Sequence, residues 1–229
     1  MQILENSVLG LRSARLSFEA PSRQLSLILY PMVHVAEPEF YAQVFDEAYA
    51  ADIILTEGID TPVVRRLTRA YRFMATKRNG LVLQSSADPK SAPEKTRRAD
   101  LFPDEFVALW KDLPRWQRVL ATIAAPLVGL RNRWGLSRQY LAKHLEMDDL
   151  PDRQTRLSWS PAVQAFETAI IHARDARLLD ILKEEIARAP KGGTLALVYG
   201  AQHIPAVIGA LEELDFVWKE STWLTVFKA

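Results

Sequence analysis

Cysteine is absent from this 229-residue chain, which excludes disulfides, thiolate metal sites, iron–sulfur clusters and a cysteine nucleophile together. Charge of one sign is missing too. Twenty-nine Lys and Arg against 28 Asp and Glu leave a formal +1, so bulk electrostatics gives no reason to expect nucleic acid or an anionic membrane as partner. Long hydrophobic runs are lacking. The most apolar one, "VLATIAAPLVGL", has 12 residues and is interrupted by Pro126, whereas a bilayer span needs roughly 20. The opening "MQILENSVLGLRSARLSFEA" has neither the basic start nor the apolar core of a secretory leader. No solenoid-length repeat is visible. These absences predict a soluble, cytoplasmic protein.

What is present is an ordinary globular composition, 48% hydrophobic and 25% charged. "LRSARLSFEA" and "LSLILYPMVH", joined by "PSRQ", read as an opening hairpin. "EPEFYAQVFDEAYAA" has apolar residues at helical spacing behind Pro38. "DIILTEG" is a short continuous apolar run, as a strand covered on both faces requires. "TPVVRRLTRAYRFMA" is a helix with Thr61 as its N-cap, and "GLVLQSS" reads as a further strand. The Pro-rich stretch 87–100 reads as a mobile loop and candidate lid. From Phe102 to about Arg156 the pattern is helical. A long helix from about Pro161 to Arg188 follows, then the strand "TLALVYG", the short helix "IPAVIGALEEL" and a closing hairpin in "FVWKESTWLTVFK".

The alternation predicts an α/β fold: a mixed, largely parallel central sheet flanked by helices, with a helical insertion and terminal β-hairpins. One domain covers residues 1–229, and the insertion occupies 101–160.

Three of these strands end in a polar residue: His34 after "PMV", Glu57 after "ILT" and His203 after "YGAQ". Ligands bind outside the carboxyl ends of strands in open α/β sheets, where residues distant in sequence converge. Two imidazoles and a carboxylate also form the ligand set of many catalytic metal sites. In the long helix, Val163, Phe166, Ile170, Leu178 and Ile181 share a face, and Arg174 lies in the middle of it. An arginine placed there needs an anion. His172 falls on the solvent side, and His144 reads as a helix residue without chemistry. Each strand-end residue alone is more simply structural; their convergence is what makes a site.

The pattern resembles the TraB/PrgY/GumN family, which includes the TIKI metalloproteases and is marked by two GxxH motifs. "GAQH" at Gly200 to His203 matches the second motif, "DIILTEG" the glutamate strand, and "HARDARLLDIL" the arginine helix. The first motif departs from the family, with Pro31 in "PMVH" where glycine stands. The resemblance implies the mixed-sheet fold shared with erythromycin esterase and haem-binding ChaN-like proteins. It makes His34 and His203 candidate metal ligands or acid/base groups, Glu57 a ligand or general base, and Arg174 a stabiliser of negative charge. Gly200, Gln202 and Asp175 become candidate substrate contacts. The implied activity is hydrolysis of an amide or ester bond in a peptide or small molecule, with either a divalent Mn, Co or Zn ion activating water or, without metal, a histidine activating it directly while Glu57 orients it. The rival reading is a non-catalytic protein that captures a small ligand, peptide or haem in the same crevice. A third role, as a structural partner or homodimer, rests on "RWQRVLATIAAPLVGL".

Overall fold

A computed structural model describes residues 2–76, 78–84, 94–119, 121–123, 138–149 and 161–229. The hairpin expected at the start is present. β1 (Leu4–Ser7) and β3 (Leu25–Met32) both pair antiparallel with β2 (Gly10–Ala20), β1 along its residues 10–13 and β3 along its residues 16–20. After β3, a two-residue strand β4 (Val35–Ala36) leads into α1 (Pro38–Ala48). Its buried Phe40, Tyr41, Val44, Phe45 and Ala48 recur at three- and four-residue intervals on one face. β5 (Ile53–Thr56) follows, then α2 (Pro62–Leu67), whose Val64 N–H donates to Thr61 Oγ1 at 3.1 Å as the N-cap expectation requires.

β6 (Val82–Leu83) is shorter than expected and lies outside the central sheet, pairing among the described residues with β4. The fourth parallel strand is instead β7 (Thr96–Arg98), inside the stretch expected to be a loop. α3 (Pro103–Asp112) and α4 (Arg138–Asp149) lie in the insertion, and residues 115–119 and 121–123 between them are helical too; α3 packs on α5 and α4 on β1 and β2. Residues 124–137 and 150–160 of the insertion, most of the apolar run among them, lie outside the described residues, as does the side chain of His144.

α5 (Pro161–Arg188) is the long helix. Leu178 and Ile181 are buried on its inner face and His172 is exposed, as the spacing predicts; the side chains of Val163 and Phe166 lie outside the described residues. β8 (Thr194–Gly200) and α6 (Ile204–Glu213) follow. The closing segment is one strand, β9 (Val217–Lys228), rather than a hairpin. "KEST" offers no Gly, Pro, Asn or Asp to fix a tight turn, and the whole free edge of β2 from Gly10 to Glu19 is available to pair with it. Gly10 (φ +125°) allows this closure, because a Cβ there would lie 2.1 Å from the Phe227 carbonyl oxygen.

The sheet order is β1-β2-β3-β8-β5-β7, with β9 on the other edge of β2. β3, β8, β5 and β7 run parallel. α1 carries the chain from β3 to β5 across β8, the crossover that parallel neighbours need. β8 is buried at every position after Thr194, as a central strand covered on both faces must be. One contiguous core spans the sheet and its helices. A smaller cluster of Leu101, Phe106 and Trp110 ties α2, α3 and α5 together beside the ends of β5 and β7. Among the described residues, no helix is long and apolar enough to cross a membrane.

Candidate functional site

The register brings four strand ends to one edge. Met32 pairs with Gly200 across β3 and β8, Thr56 with Val198 across β5 and β8, and Thr56 with Arg98 across β5 and β7. The next residues along each strand therefore emerge together: His34, Glu57, Asp100 and the turn Ala201–His203. Arg174 reaches them from α5.

Arg174 is the hub. Its Nη2 donates to Glu57 Oε1 at 2.5 Å and to Asp100 Oδ2 at 2.7 Å, while Nε donates to Asp100 Oδ1 at 3.0 Å. The arginine side chain is 13% exposed, Glu57 17% and Asp100 0%. Backbone N–H groups complete the carboxylates. Gly58 N–H and Leu101 N–H donate to Asp100, and Gly200 N–H donates to Glu57 Oε2 at 2.7 Å. Burial alone would push the Glu57 carboxyl up. Arg174, helped by His203 and His34, overrides that and holds it down at about 2. The paired carboxylates hold the Arg174 guanidinium well above its ordinary value, against its burial.

The glycine of GxxH has a local reason. A Cβ on Gly200 would sit 2.9 Å from Glu57 Oε2 and 3.6 Å from His203 Cδ2, so Glu57 and His203 flank this backbone atom closely. Gly200→Ala is expected to push the carboxylate off the N–H and destabilise the protein by about 1–3 kcal/mol. Thermal unfolding checks this; a variant as stable as the parent would show that the close approach is dispensable.

His203 is fully buried. Its Nδ1 lies 2.6 Å from Asp175 Oδ1, and its Nε2 lies 3.5 Å from the Gln202 amide nitrogen. A carboxylate on Nδ1 fixes the proton there and leaves Nε2 with the lone pair. Asp175, expected as a substrate contact, therefore orients the histidine. Tyr199, one residue before Gly200, stands edge-on to the His203 ring at 5.0 Å, with the Arg174 guanidinium 5.8 Å from its ring centroid.

His34 lies at the same edge, where its charge is felt by Glu57, and its ring stacks on Tyr71 at 4.2 Å. Pro31 is accommodated inside β3. The β2–β3 ladder ends at Leu29, and the Pro31 carbonyl points toward β2, accepting from Ser13 Oγ at 2.6 Å. The missing N–H falls on that same side, past the last ladder bond, so none is lost.

The divalent-ion expectation fits this arrangement poorly. Among the described residues, no group of three His, Asp or Glu is placed to hold a metal ion. Both oxygens of Glu57 are already engaged by Arg174 and Gly200. Arg174, placed so that it needs an anion, finds it in two strand-edge carboxylates, which neutralise it.

Sequence reasoning missed Asp100 and Tyr199. Asp100 carries the same signal as the others, a polar residue just past a strand, but β7 is short and basic and reads as loop. Tyr199 sits inside an apolar run that its hydroxyl does not interrupt.

Compared with known proteins, the chain matches no family model, no curated protein and no solved structure.

Proposed function

We propose that the chain is a hydrolase of the TraB/TIKI type, cleaving an ester or amide with His203 as the base. The observation that carries this reading is the His203–Asp175 pair at 2.6 Å, set at the carboxyl edge of parallel strands beside an ionised Glu57. Nε2 takes a proton from water as the water oxygen adds to the substrate carbonyl carbon. The protonated imidazole, offset by Asp175 and Glu57, then returns the proton to the departing alcohol or amine as the C–O or C–N bond breaks. Glu57 keeps its charge because Arg174 and the Gly200 N–H hold it. The order of the motifs along the chain supports the same reading. No step of this mechanism passes through a metal.

The complete burial of His203 favours one rival: a protein that encloses a small ligand without turning it over.

Hydrolysis of p-nitrophenyl acetate and of a fluorogenic peptide mixture separates the two, measured with chelator and with added Mn, Co or Zn. Turnover by the parent that survives chelation is expected, with a loss of about 10²–10⁴-fold in His203→Gln and a smaller loss in Asp175→Asn. Turnover that appears only with added ion would restore the metal-dependent form. No turnover by the parent on either substrate would overturn the hydrolase.

A further inference from the structure

The Tyr199 hydroxyl is buried beside the Arg174 guanidinium, which can only donate to it, and no acceptor for its O–H lies within hydrogen-bond distance among the described residues. Buried polar groups are nearly always paired, and an orphan of this kind costs stability unless a guest meets it. This one belongs to the residue that touches both halves of the site, with its ring against His203 and under Arg174. Burial pushes the phenol up, and Asp100 and Glu57 add to that against Arg174, so it stays protonated and able to donate. The neighbouring guanidinium is spoken for by Glu57 and Asp100. A neutral donor without a partner is therefore better placed than a neutralised cation to meet new negative charge.

We infer that Tyr199 is the oxyanion donor of this site: its hydroxyl donates to the carbonyl oxygen of an ester or amide as water attacks the carbon. The inference rests on the hydrolase reading and adds the group that reading lacks. Tyr199 donates a hydrogen bond and transfers no proton. His203 and Tyr199 are the fully buried members of the cluster. Glu57, Arg174 and Asp175 keep partial exposure, which places the solvent side of the cluster at those three residues.

Tyr199→Phe removes one oxygen and leaves the ring. In the unliganded protein it is expected to melt at the same temperature as the parent or higher, because the O–H has no acceptor to lose. With p-nitrophenyl acetate and the peptide mixture, kcat should fall by about 10²–10³-fold, as on removal of an oxyanion donor, with KM little changed. A lower melting temperature would mean that the hydroxyl has a partner in the resting fold, and would overturn the inference. So would an active parent matched by an equally active Tyr199→Phe, which would leave the hydrolase reading standing. A parent inactive on both substrates would end both.

Discussion

Arg174→Leu is expected to destabilise the protein by about 3–5 kcal/mol at neutral pH, the usual cost of removing one partner from a buried ion pair. Leucine suits the apolar stripe of α5 that carries Arg174, so the cost is not one of shape. It lies in Glu57 and Asp100, left side by side and largely out of water with backbone N–H groups as their remaining partners. For a chain of this size the loss corresponds to a fall in Tm of roughly 6–20 °C.

The pH dependence identifies the cause. Without the guanidinium, burial and the neighbouring Asp100 charge raise the Glu57 carboxyl above its unfolded value. A carboxyl raised in the folded state penalises folding above its pKa and ceases to do so below the unfolded value. The deficit of Arg174→Leu should therefore be widest near pH 7 and shrink as the solution is acidified toward pH 4. Urea unfolding at both pH values tests this. A difference under about 1 kcal/mol at pH 7 would show that the triad is not the buried unit described. Arg174→Lys should fall between the two, keeping the charge but losing the planar fork that spans both carboxylates.

The anion that Arg174 demanded was legible in its position amid apolar residues; the identity of both partners was not. Glu57 stood out because it ends the apolar run Ile53–Thr56, and His203 because it interrupts the passage from β8 to α6. Strands β3, β5 and β8 were readable for the same reason, since central parallel strands are apolar throughout. β7 was hidden because it is an edge strand with one pairing neighbour, β5, among the described residues. Its Thr-Arg-Arg sequence suits that place: Arg97 pairs with Glu184 and Glu185 on α5 rather than entering the core. With β7 unread, Asp100 could not be placed. The closing strand misled in the other direction. Its length reads as two strands until β2 is known to offer a continuous edge ten residues long. Composition records which residues are apolar, but not which edge is vacant.

Glu57→Gln should separate the charge of this carboxylate from its shape. In the folded protein the group is held at about 2, against an ordinary value of 4.5. A carboxyl depressed by folding stabilises the protein above its unfolded pKa, and that contribution disappears as pH falls through the folded one. The window is thus pH 4.5 down to about 2, and the shift corresponds to about 3 kcal/mol at neutral pH. Other carboxylates titrate in the same range, so the informative quantity is the difference between parent and variant. That difference should be about 3 kcal/mol at pH 7 and close toward zero near pH 2. Glutamine can still accept from the Gly200 N–H through its oxygen, which keeps the local backbone paired. A gap that stays constant across the range would assign the effect to packing. Closure of the gap would assign it to the ion pair with Arg174, the contact that holds Glu57 charged beside His203.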